Sequence, residues 1–196
     1  MTQASVLFAD ANTLPFPSGS FDVALCGFMG WDDCFDFDRG TFTQPDRKAP
    51  EIWRVLRPSG RFVCCSWEVQ EGVTWMEAAI TRHYPAIMED EGYLAERPVG
   101  MAYENSPGYR TILESAGFQE ITVAKERVTC ITADGETWWQ QMLHLGWEPF
   151  IDRIEEREPE ELARVKEAVL ADLQPYKHPD GIRFDKLVLF VQGVKG

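Results

Sequence analysis

Positive charge is scarce in this chain: 19 Lys plus Arg stand against 32 Asp plus Glu, a formal net charge of −13. Such a surface repels a phosphate backbone, which argues against a nucleic-acid partner. No Lys or Arg precedes Arg39, so the basic start of a signal peptide is missing. Long apolar runs are also missing, since the longest, Val23 to Trp31, is far too short to span a bilayer. The expectation is a cytoplasmic protein with no membrane partner. His83, His144 and His178 are unclustered. Cys26, Cys34, Cys64, Cys65 and Cys130 form no CxxC pair and have no ligand-spaced histidine, so no metal site is expected. These cysteines read as core-filling thiols, with a redox or reactive role as the alternative.

What is present is an ordinary globular composition, 44% hydrophobic and 26% charged over 196 residues. A chain of this length buries roughly 70% of its unfolded surface, enough for a core without staples. With no repeat, low-complexity tract or linker, residues 1–196 are expected to form a single domain.

Val6 to Phe8 reads as a short strand, and Asn12 to Ser20, with Pro15 and Pro17, as a loop. Phe21 to Cys26 is a nearly continuous apolar run ending at Gly27, the pattern of a central strand covered on both faces. Trp31 to Gln44 is irregular. Its Asp32, Asp33, Asp36 and Asp38 read as a solvated loop, with a metal cluster as the alternative. A short helix is expected over Glu51 to Leu56, stopped by Arg57-Pro58-Ser59-Gly60, with Gly60 taking positive φ. Arg61 to Trp67 then reads as a buried strand, and the order makes a βαβ unit.

Val73 to Met88 looks helical. Ser106 and Pro107 open a further helix, with Ser106 as its cap and Gly117 as its terminator. Phe118 to Ile131 reads as a strand whose apolar parity changes between Val123 and Val128. Thr137 to Leu145 has helical spacing closed by Gly146. Pro159 to Leu173 is amphipathic, with Glu160 spaced to meet Arg164. Leu187 to Gln192 is the last expected strand.

Three segments in order carry a resemblance: Asp10-Ala11 with Leu14-Pro15-Phe16 and Ser20-Phe21-Asp22; Glu51-Ile52-Trp53-Arg54-Val55-Leu56-Arg57-Pro58-Ser59-Gly60; and Ala116-Gly117-Phe118. Together they resemble the type 11 class I S-adenosylmethionine-dependent methyltransferases, the group that includes ubiquinone and menaquinone biosynthesis enzymes. The resemblance is best over about Val6 to Trp67. It implies an α/β, Rossmann-like fold, a mostly parallel sheet with helices on both faces and an antiparallel C-terminal strand. It also implies S-adenosylmethionine as cofactor and a small-molecule methyl acceptor.

Carried over residue by residue, the resemblance puts Asp10 against the adenine amino group with Ala11 beside it, and makes Cys26, Gly27 and Phe28 cofactor neighbours. The alternative for Asp10 is a turn-forming carboxylate bonded to its own backbone. Trp138, Trp139 and Met142 are candidates for an apolar substrate pocket, with core packing as the alternative. His144 is the candidate base where a substrate hydroxyl must lose a proton. The family's sheet begins with a strand, a Gly-x-Gly loop and a helix, whereas this chain matches from the third strand onward and contains no two glycines separated by one residue. The chain is accordingly expected to be incomplete alone and to bind S-adenosylmethionine weakly. A non-catalytic remnant that binds a ligand or partner through the vacated cleft is the alternative. In the family's strand order, loss of the first two strands turns Phe21 to Cys26 into an edge. A homodimer through Ser5 to Ala11 and Phe21 to Cys26 is therefore expected, or a partner chain that supplies the missing strands.

Overall fold

In the computed structural model the described residues are 10–27, 34–36, 41–43, 45–89 and 105–196. The expected strand Val6 to Phe8, together with Phe28 and most of the acidic loop, lies outside them. The chain forms two compact units.

In the first unit, β1 (Phe21–Cys26) leads through a two-stranded ribbon, β2 (Cys34–Asp36) and β3 (Thr41–Thr43), to α1 (Pro45–Val55) and then β4 (Leu56–Gln70). β1 and β4 are parallel neighbours, with Val23 opposite Arg61 and Cys26 opposite Cys64, so the expected βαβ unit is present. The helix starts earlier than the sequence suggested and runs through Pro50, giving up one intrahelical hydrogen bond there. The turn out of it also differs. The left-handed residue is Ser59 (φ 61°), not Gly60. Glycine is needed at position 60 for space, because a Cβ there would lie 2.8 Å from the Arg57 carbonyl oxygen.

The sheet order is β1-β4-β7-β5, where β5 is Phe118–Thr132 and β7 is Gly181–Lys195, with the short β6 (Lys177–His178) antiparallel to β7. β7 runs against β5, since Gly193 abuts Phe118 at one end and Gly181 abuts Thr132 at the other. The result is a mixed α/β sheet. α1 and α3 (Ser106–Ser115) lay Ala49, Ile52, Tyr109 and Leu113 on Phe62, Cys64, Leu189 and Val191. The α3 cap is Asn105, whose side chain accepts from the Gly108 N–H at 2.9 Å, instead of Ser106. Gly117 ends this helix with φ 92°, as expected.

Among the described strands β1, expected to be central, stands at one end of the sheet order, and Val23 and Leu25 are 52% and 77% exposed. An apolar run reports what a strand could bury, while its neighbours decide what it does bury. At the other end of the unit, Lys195 Nζ donates to the Trp53 and Leu56 carbonyls at 2.9 and 2.8 Å and lies 3.9 Å over the Trp53 ring, closing the C-terminus of α1.

The second unit packs α2 (Glu71–His83), α4 (Gly135–Met142), α5 (Glu148–Arg157) and α6 (Pro159–Asp172) around Met76, Ile80, Trp138, Ile154, Val165 and Val169. The expected helix Val73 to Met88 divides at Tyr84, which adopts φ −139° and ψ 72° before Pro85, and a 3-10 turn over Pro85–Glu89 follows. Proline's ring disfavours helical backbone in the residue before it. Gly146 does not close α4. The chain continues as a π turn, Leu143–Trp147, straight into α5. Arg164 pairs with Glu161 at 2.5 Å, one residue on from the expected Glu160.

Candidate functional site

Residues 10–20, before β1, are held by hydrogen bonds that their sequence dictates. Asp10 Oδ1 accepts from the Asn12 backbone N–H at 2.8 Å and from Asn12 Nδ2 at 2.9 Å, and the Asp10 carbonyl accepts from Thr13 N at 3.2 Å. This is the turn-forming role weighed for Asp10. It uses one carboxylate oxygen only. Asp10 is exposed, and among the described residues neither its Oδ2 nor the Ala11 N–H has a hydrogen-bond partner.

Pro15 and Pro17 have no N–H to donate, so the loop cannot satisfy its own carbonyls by ordinary turns. α1 supplies the missing partners. Arg54 donates to the Phe16 carbonyl at 2.8 Å and to the Leu14 carbonyl at 2.9 Å, while Glu51 Oε1 accepts from the Leu14 N–H at 2.8 Å. The two side chains are themselves joined, Arg54 Nε to Glu51 Oε2 at 2.8 Å and Nη2 to Oε1 at 2.5 Å. The hydrogen bond from Arg54 holds the Glu51 carboxyl below the usual carboxylate range, with further lowering from the Leu14 N–H and the nearby positive charge outweighing partial burial. Downstream, Gly19 N and Ser20 N donate to the Arg54 and Val55 carbonyls at 3.1 and 2.8 Å, and Phe16 meets Phe21 edge-on at 4.9 Å. The loop that follows the Asp10-Ala11 turn is thus tied to α1, and β1 leaves the far end of the same clamp.

Glu51 and Arg54 were not singled out as site residues from sequence, although the Glu-x-x-Arg spacing on one helix face and the proline-interrupted loop upstream were both visible. Cys26 and Gly27 do sit at the carboxyl end of β1, half-buried and exposed respectively; Phe28 lies outside the described residues. Deeper in the same unit, Tyr109 donates to Ser66 Oγ at 2.6 Å, both fully buried.

The remaining candidates belong to the second unit. Trp138, Trp139 and Met142 pack inside this unit. They are 1%, 3% and 5% exposed and fill the core, with Trp138 stacked on Phe184 at 5.7 Å and edge-on to Trp75 at 5.3 Å. A short helix wedged among others can bury more than one of its faces, which a stripe in sequence does not reveal. His144 is exposed on the π turn, its Nδ1 2.7 Å from the Gln140 carbonyl. An open cleft near Asp134, Lys177, His178 and Asp180 has its acids already engaged. Asp134 caps α4 through Thr137 N at 2.7 Å, and Asp180 binds Arg183 at 2.6 Å. Among the described residues no group of His, Cys, Asp and Glu is placed to hold a metal, and no helix is long and apolar enough to cross a membrane.

Residues 2–64, which contain the turn, the clamp and the βαβ unit, match the family model described as a methyltransferase domain, type 11. The match covers about a third of the chain. Over 63 residues the chain is 40% identical to the demethylmenaquinone methyltransferase of Deinococcus radiodurans, covering 31% of this chain and 22% of that protein. The chain therefore matches about a fifth of that relative's length. Among solved structures, a Bacillus halodurans C-125 protein designated a methyltransferase superposes with a TM-score of 0.49 at 15% identity, over 95% of this chain and 75% of the other. The YcgJ protein of Bacillus subtilis superposes at 0.47 and 14%, over 94% and 68%.

Proposed function

We propose that this chain holds the adenine end of S-adenosylmethionine and serves methyl transfer to a small molecule. The observation that carries the reading is the Asp10-Ala11 turn, where an open carboxylate oxygen adjoins an open backbone N–H. That acceptor–donor pair complements the amino group and neighbouring ring nitrogen of adenine. The bonds from Asn12 and Thr13 to Asp10 shape the pair, and Glu51 and Arg54 hold the loop that follows it, which lowers the ordering cost of binding. The methionine end is another matter. Residues 1–196 contain no Gly-x-Gly sequence, so the adenine end is the part of the cofactor that this reading assigns to them.

Methyl transfer from a sulfonium is a displacement that asks chiefly for an aligned nucleophile in a dry pocket, so few side chains need take part. The relative's name supports a small, apolar acceptor. The exposed Val23 and Leu25 support assembly with a second copy along β1.

Calorimetric titration tests the cofactor reading. Adenosine and S-adenosylhomocysteine are expected to bind one site with similar, weak affinity, and Asp10→Ala to abolish both. Micromolar binding of S-adenosylhomocysteine with none of adenosine overturns the adenine-only reading. Binding unaffected by Asp10→Ala overturns the site. The alternative is a module that binds a ligand without catalysis. It is distinguished by the absence of methyl transfer from labelled cofactor to a quinol acceptor.

A further inference from the structure

We propose that Cys26 and Cys64 form a peroxide-sensitive thiol pair that closes reversibly into an intrachain disulfide. The two residues are register partners on parallel neighbours, Cys26 in β1 and Cys64 in β4, and both are reduced. Partners in register project to the same face of a sheet, and both side chains pack into the same core, beside Phe62 and Leu189. Neighbouring strands lie about 4.8 Å apart, inside the roughly 4.4–6.8 Å between Cα atoms that disulfides span. Cys65, one residue on, projects to the opposite face and cannot substitute for Cys64.

The two thiols differ in access, which assigns their roles. Cys26 is half-buried at the open end of β1, next to exposed Gly27, whereas Cys64 is 1% exposed. The Cys26 thiolate attacks one oxygen of hydrogen peroxide, the O–O bond breaks, and the sulfur becomes a sulfenic acid with release of one water once the hydroxide is protonated. Cys64 sulfur then attacks the sulfenic sulfur; the S–S bond forms and the S–O bond breaks, releasing a second water. Two thiols and one peroxide give one disulfide and two waters. A bond between Cβ atoms spaced as the strands are asks the sulfur-bearing ends to draw about 1 Å closer. Cys26 is the last residue of β1, where the chain leaves the sheet and such a shift disturbs few ladder hydrogen bonds. The residual strain makes the bond easily reduced, as a switch requires.

The full chain, reduced and desalted, is exposed to stoichiometric hydrogen peroxide, alkylated, digested without reductant and mapped by mass spectrometry. The expected product is a peptide pair joined through Cys26 and Cys64, two hydrogens lighter and separated by dithiothreitol. In Cys64→Ala, dimedone is expected to trap Cys26 as the sulfenic acid. A bridge from Cys26 to any other cysteine, a bridge between chains, or both Cys26 and Cys64 recovered as alkylated thiols overturns the proposal. The wild-type map alone decides it if the variant does not fold.

Discussion

At the scale of single residues, Glu51 shows how one helix side chain can hold a loop far upstream in sequence. Its carboxyl is held below its ordinary range chiefly by the bond from Arg54. A group whose folded pKa is depressed contributes stability above its unfolded pKa, and that stability is lost as pH falls through the folded value. Glu51 ionises near pH 4.3 when unfolded, so the contribution is expected to be full above about pH 5 and to fade below about pH 4. Urea titrations across this window should show the loss in the wild-type chain and a flatter profile in Glu51→Gln. An identical acid limb in the two proteins means that the clamp does not couple to folding. Arg54→Ala, which removes the donor to two loop carbonyls and to Glu51, is expected to lower stability and to weaken adenosine binding with it.

At the scale of elements, the turn between α1 and β4 separates two demands that the sequence blends into one motif. Ser59 carries the left-handed backbone, and position 60 carries the close approach. Ser59→Gly is therefore expected to stabilise by about 1 kcal/mol, and Gly60→Ala to destabilise by about 1–3 kcal/mol. Denaturation midpoints that move the other way would return the backbone role to Gly60. Features governed by nearby residues were legible: the βαβ order, the αL residue Gly117, and α6 with Val165 and Val169 inward. The parity change in β5 was also legible, since burial falls on Ile121 and Val123 before it and on Cys130 and Thr132 after it. Features that depend on a distant partner were not. The π turn at Leu143–Trp147 has no local signature, and the closed packing of Trp138 depends on Trp75 and Phe184, far away in sequence. In the candidate site the Asp10 turn was readable, whereas the donors to Leu14 and Phe16 come from a helix some forty residues on.

At the scale of the whole molecule, the end position of β1 bears on assembly. Leu25, 77% exposed on a strand with one described neighbour, is costly to leave in water and offers an edge to a second copy. Light scattering at micromolar concentration is expected to give a dimer, and Leu25→Lys a monomer of unchanged circular dichroism. A wild-type monomer at that concentration removes the homodimer from the reading. The place of β7 bears instead on the order in which the sheet is made. It is synthesised after β1, β4 and β5, yet it lies between β4 and β5 and carries the lysine that closes α1. Until the ribosome has delivered it, the nascent chain displays two facing strand edges with no occupant, and their pairing waits on contacts of very long sequence separation. Synthesis interrupted before Val188 should therefore yield an aggregating product and a client for chaperones, however sound the residues already made.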